Sequence, residues 1–98
     1  MNLEQIKLKV NPICRRHSVR QMDMFGSYAR GDAREKSDFD FCVRFKELPP
    51  VEFSRNYFGL LHELEDSFGA PVDLLPEESV KKASLKKNLH SEGIRVYG

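Results

Sequence analysis

The sequence predicts an α/β or α+β fold, with one β-sheet and helices packed on it. Three observations predict it. Apolar residues recur at intervals of three and four near the N-terminus and again from Phe53 to Phe68, which is helical spacing. Between these stretches, Phe39, Phe41, Val43 and Phe45 alternate with polar or small residues, which is strand spacing. The two kinds of segment then follow one another along the chain as helix, strand, helix, strand, helix, strand, helix, strand.

Leu3, Ile6, Val10 and Ile13 lie on one face of the first helix. Pro12 interrupts it: either the helix bends there, or Asn11 caps a second short helix with Pro12 in its first turn. Val19 to Phe25 suits a strand, with Met22 and Met24 on one face and Asp23 and Phe25 on the other. Gly26 breaks that strand, Ser27 can cap a short helix over Tyr28 to Asp32, and the polar run from Gly31 to Lys36 reads as a loop. Asp38 to Phe45 is the clearest strand. Pro49 and Pro50 open a long helix with Phe53, Tyr57, Leu60, Leu61, Leu64 and Phe68 on its sheet-facing stripe, and Gly69 is placed to stop it. A brief strand, Pro71 to Leu75, follows. Pro76 then starts a helix with Glu77 and Glu78 in its first turn and Lys81, Lys82, Lys86 and Lys87 later, an order that suits the helix dipole. Gly93 ends it, and Ile94 to Tyr97 supplies the last strand.

At 98 residues the chain, 1–98, is expected to be a single domain. Its net charge of +1 is lower than a strongly basic nucleic-acid binder carries, so no direct nucleic-acid partner is expected. The first residues lack a secretory pattern, and no apolar run approaches the roughly 20 residues that span a bilayer. Cys14 and Cys42 stand far apart without zinc-type spacing, which suits two reduced thiols in a cytoplasmic protein.

If Phe39, Phe41, Val43 and Phe45 face the core, Asp38 and Asp40 project together from the opposite face, roughly 6–7 Å apart at Cβ. Like charges so placed repel unless something positive lies between them, and Asp is a poor strand former. Such local costs mark functional sites. Taken alone, an Asp-x-Asp pair also fits two solvated carboxylates matched by Arg44 or Arg34. Asp73 changes that balance. It sits between Val72 and Leu74 in a separate apolar strand, so three acids, each opposite an apolar face, form an oxygen-ligand set suited to Mg²⁺. Whether Asp73 lies beside the other two depends on strand order. Upstream, Gly26 allows close backbone approach, the helix start after Ser27 favours an anion, and the Ser27 hydroxyl can donate to a phosphate. Arg30, one turn further on, can reach the same phosphates, although surface exposure is the default for an arginine.

Gly26-Ser27, ten residues, then Asp38-Phe39-Asp40 reproduces the spacing of the nucleotidyltransferase signature, Gly-Ser-x10-Asp-x-Asp. The flanking Phe-Gly-Ser-Tyr-Ala-Arg-Gly and Ser-Asp-Phe-Asp resemble the minimal nucleotidyltransferases, the antitoxins of HEPN/MNT toxin–antitoxin pairs related to DNA polymerase β. The resemblance implies a nucleotidyltransferase fold, a small mixed sheet with helices packed on one face. It implies that Asp38 and Asp40 bind two Mg²⁺ ions, that Asp73 is the third carboxylate helping to activate the incoming hydroxyl, and that Gly26 and Ser27 hold the triphosphate of ATP. It also implies an acceptor, a tyrosine of a HEPN ribonuclease toxin that AMP transfer silences. The second, helical domain of larger nucleotidyltransferases is absent from this sequence, so a partner is expected to complete the site.

His17, His62 and His90 are widely spaced and suit surface or packing roles. Cys42 shares the face of Asp38 and Asp40 and reads as a small spacer rather than a nucleophile. Two other readings remain at this point: an antitoxin that neutralises its toxin by docking alone, and a transferase acting on a small molecule such as an aminoglycoside. The intact acid set argues against the first and the missing second domain against the second.

Overall fold

Asn2 starts helix α1, Leu3–Arg16, through a capping box: its side chain accepts from the Gln5 N–H, and the Gln5 side chain accepts from the Asn2 N–H, each at 2.9 Å. The computed structural model describes residues 2–25, 39–78 and 93–98. Ile6, Val10, Ile13 and Cys14 form the buried stripe of α1. The helix runs unbroken through Pro12, so one helix, not two, occupies this segment. Pro12 removes the N–H that would reach the Leu8 carbonyl, but both residues are exposed, so water can satisfy that carbonyl. Pro12→Ala restores the missing bond on a solvent face, and we expect it to stabilise the fold by about 1–2 kcal/mol in urea unfolding.

Ser18, with φ 57°, turns the chain into strand β1, Val19–Phe25. Its carbonyl accepts from the Lys46 N–H at 2.9 Å, tying this turn to the end of strand β2, Phe39–Phe45. Helix α2, Pro50–Phe68, follows, then β3, Val72–Pro76, and β4, Ile94–Tyr97. α2 begins with proline in its first turn, where a missing N–H costs nothing. It ends at Gly69, whose left-handed φ of 62° suits glycine and whose N–H donates to the Glu65 carbonyl at 2.8 Å. The sheet order is β3-β2-β1-β4. β1 is antiparallel to β2 and β4, whereas β2 and β3 are parallel, joined through α2. Among the described residues the fold is therefore α+β, a mixed four-stranded sheet carrying two helices, which is the fold class that the sequence predicts.

Both helices cover the same sheet face. Phe39, Phe41 and Val43 of β2, Met22 and Met24 of β1, and Leu74 of β3 share one buried cluster with Ile6 and Val10 of α1 and with Leu60 and Leu64 of α2. The Phe39 and Phe68 rings lie 4.3 Å apart within it. The helices are also latched to each other at the end of α1. Arg16 and His17 both engage Glu63, with His17 Nε2 at 2.7 Å from Glu63 Oε1. Burial, and then the neighbouring Arg16, hold the His17 imidazole below its ordinary pKa. Gly59 makes the contact possible, because a Cβ there would stand 2.8 Å from the His17 ring. His17 therefore has a packing role.

β3 differs from expectation by one residue at each end: it runs Val72–Pro76 rather than Pro71 to Leu75, so Pro76 ends the strand and Glu77 and Glu78 begin the helix. The described part of β2 begins at Phe39, and Asp38 lies outside the described residues. The predicted short helix at Tyr28 to Asp32, the loop after it, and the lysine-bearing part of the helix after Glu78 lie outside the described residues. Among the described residues, no helix is long and apolar enough to cross a membrane.

Candidate active site

The sheet face opposite the helices carries the acids. Along β2, Phe39, Phe41 and Val43 are buried while Asp40, Cys42 and Arg44 turn the other way. Along β3, Leu74 is buried and Asp73 is exposed. The parallel ladder sets Asp40 directly against Asp73. Neighbouring strands are about 4.8 Å apart, so the two carboxylates stand side by side on one face. The strand order that sequence left open thus brings Asp73 to Asp40.

On the other side of Asp40, the antiparallel ladder places Phe25, the last residue of β1. Phe25, Asp40 and Asp73 form one row across three strands. Chain connectivity gives this row its interest. In sequence, Gly26 follows Phe25 of this row and Asp38 stands two residues before Asp40, so both ends of the Gly-Ser-x10-Asp segment adjoin the row along the chain. Gly26, Ser27, Arg30 and Asp38 themselves lie outside the described residues.

Like charges in register on adjacent strands repel, and a cation between them reverses the sign of that term. The row offers carboxylate oxygens, the donors preferred by hard divalent cations, and so fits Mg²⁺. Among the described residues, no group of three or more His, Cys, Asp or Glu side chains gathers to hold a metal. A third carboxylate for such an ion would have to come from outside the described residues, and Asp38 stands two residues before Asp40 in sequence.

The next row along the same face is Asp23, Cys42 and Leu75. Burial, followed by Glu77 and Asp23, pushes the Cys42 thiol up to about 11, so it stays protonated and serves as an inert spacer. Asp23 is a further acid on this face that the sequence reading gave no role. It pairs with Arg95 of β4, which balances its charge beside the site. At the far end of β2, Arg20, Arg44, Lys46, Phe53 and Glu77 help line a groove of about 500 Å³, where Arg44 Nε lies 3.5 Å from Glu77. Its mixed charges and its distance along β2 from Asp40 separate it from the acid row.

Residue Tyr57 of α2, predicted only as part of the core stripe, touches the site's scaffold directly. Its hydroxyl donates to the backbone carbonyl of Leu74, the residue after Asp73, at 2.5 Å. Sequence gave no signal for this contact beyond a phenol on a buried stripe.

Comparison with known proteins agrees with this geometry. A family model for the nucleotidyltransferase domain matches residues 7–96. The chain is 36% identical over 96 residues to a Methanocaldococcus jannaschii protein that carries the name "Putative protein adenylyltransferase MJ0435", covering 98% of this chain and 99% of that one. It is 39% identical over 71 residues to the protein adenylyltransferase MntA of Thermococcus cleftensis, covering 72% of this chain and 69% of that one. A crystal structure of a toxin–antitoxin with AMP-PNP shares the fold, with a TM-score of 0.70 and 23% identity over 94% of this chain and 73% of that chain. With the Gly-Ser-x10-Asp-x-Asp spacing, the mixed sheet and a match spanning most of its length, the chain belongs to the nucleotidyltransferase domain family.

Proposed function

We propose that this chain, as one domain over residues 1–98, is an antitoxin that transfers AMP from ATP to a hydroxyl of its toxin, with Mg²⁺ required. The observation that carries the reading is the register of Asp40 against Asp73, in a row whose Phe25 and Asp40 flank the Gly26–Asp38 segment in sequence. The names of the two relatives support protein adenylylation, and the toxin–antitoxin neighbour with AMP-PNP supports a toxin partner and a nucleotide substrate. We take the toxin to be a HEPN ribonuclease and the acceptor to be a tyrosine, on the resemblance of residues 25–43 to the minimal nucleotidyltransferases.

In this reading Gly26 and Ser27 hold the triphosphate, with Arg30 reaching the same phosphates. Asp38, Asp40 and Asp73 are the metal ligands. When bound there, Mg²⁺ would supply positive charge against the α-phosphate and the leaving pyrophosphate. Asp73 accepts the proton of the attacking hydroxyl as its oxygen forms a bond to the α-phosphorus and the bond from that phosphorus to the bridging oxygen breaks. AMP ends on the acceptor and pyrophosphate departs. The strands supply fixed positions, so catalysis is mainly orientation and charge stabilisation.

The test is to incubate the chain with ATP, Mg²⁺ and the product of the neighbouring reading frame, then to look for AMP adducts by mass spectrometry. An adduct that disappears with EDTA supports the reading. A tight complex without any adduct would replace it with neutralisation by docking alone. Asp73→Asn is expected to slow transfer by about 10²–10⁴-fold, the usual range for removing a general base. Normal transfer by that variant would take Asp73 out of the chemistry.

A further inference from the structure

We infer that Tyr57 is a positioning residue, whose hydroxyl holds the outer edge of β3 and so keeps Asp73 beside Asp40. The strand needs such a restraint. Among the described residues, β3 is an edge strand of five residues with β2 as its one neighbour in the sheet. The Phe39 N–H donates to the Pro71 carbonyl at 3.2 Å, which sets the phase of the parallel ladder. Residues alternate in direction along a strand, so Asp73 and Leu75 turn their backbone groups toward β2, while Val72 and Leu74 turn theirs outward. Pro71 and Pro76 have no N–H to give. Asp73 and Leu75 are therefore the residues of β3 whose N–H groups can bind it to β2.

Tyr57 acts on the other side of the strand. Its hydroxyl takes the outward carbonyl of Leu74 at 2.5 Å, so the residue beside Asp73 is held from outside while Asp73 is held from within. The phenol is well placed to act as a fixed strut. Its ring stacks on Phe53 with centroids 6.4 Å apart and meets Phe58 edge-on at 5.2 Å, both on the same helix. Leu74 is itself buried in the core. Burial, and then the Asp73 carboxylate, raise the Tyr57 pKa above its ordinary value, so the hydroxyl keeps the proton it donates. The same bond also occupies an edge carbonyl that would otherwise be free to pair with another strand.

Tyr57→Phe keeps the ring and its packing and deletes only the hydroxyl. Amide hydrogen exchange followed by NMR should then show the Asp73 and Leu75 N–H groups exchanging roughly tenfold faster, with Met22 and Met24 of β1 unchanged. Unchanged exchange at Asp73 would overturn the inference. The kinetic arm rests on the proposed role of Asp73 in AMP transfer. We expect kcat to fall about tenfold with KM for ATP unchanged, because small misplacements of reacting groups are costly. Tyr57→Phe should add no further loss in an Asp73→Asn background. An equal fractional loss in that background would show that Tyr57 does not act through Asp73. A wild-type chain that transfers no AMP would remove the proposed function, while the exchange measurement would still decide the restraint on β3.

Discussion

Asp40→Asn is expected to reduce AMP transfer by about 10²–10³-fold, comparable to removing one preorganised charge-stabilising group from an active site. The fold should survive it. Asn has nearly the same shape as Asp, and Asp40 stands in register with Asp73, so losing one negative charge removes a like-charge repulsion within the sheet. Thermal unfolding should show a midpoint close to that of the wild-type chain. Lost transfer with the fold intact is the pattern of a residue kept for chemistry rather than for folding. Asp38→Asn should reduce transfer to the same degree. Full adenylylation by either variant would remove the metal-binding assignment of the Asp-x-Asp pair.

Phe41→Ala should have the largest effect on stability, a loss of about 3–5 kcal/mol in urea unfolding, as expected for truncating a fully buried aromatic side chain. Phe41 is 1% exposed and contacts the Phe68 ring of α2 at a centroid distance of 6.1 Å. It lies one residue beyond Asp40, on the opposite face of the same strand. A domain with about 5–15 kcal/mol of total stability cannot lose that much without a visible shift in midpoint. Transfer should therefore fail through unfolding at raised temperature, with partial activity retained in the cold. Phe41→Ala and Asp40→Asn would then separate the two faces of β2: one face stabilises the sheet and the other carries the chemistry.

How far each feature could be read from sequence follows from its physical origin. β2 was legible because Phe39, Phe41, Val43 and Phe45 alternate without interruption, and α2 because its apolar stripe runs from Phe53 to Phe68 between proline and glycine boundaries. The Asp40–Asp73 pairing was legible only as a possibility. Face follows from alternation within one strand, but adjacency depends on the parallel ladder, which forms between segments joined through a whole helix. At Pro12, local sequence allowed two structures, and burial of Ile13 and Cys14 against the sheet favours the continuous helix. The Asn2–Gln5 capping box was readable as an Asn followed three residues later by Gln, and was missed. Tyr57 was placed on the correct stripe, yet its bond to the Leu74 carbonyl arises where a helix meets a sheet edge, and periodicity carries no record of that contact.

In the proposed function the Asp40–Asp73 row holds the nucleotide and its metal ions. The most direct measurement is a crystal structure of this chain soaked with Mn²⁺ and a non-hydrolysable ATP analogue, with the metal located by anomalous scattering. Manganese is expected at the carboxylates of Asp38, Asp40 and Asp73, with the triphosphate beside Gly26 and Ser27. Manganese absent from that row, or a triphosphate lodged instead among Arg20, Arg44 and Lys46 at the far end of β2, would contradict it.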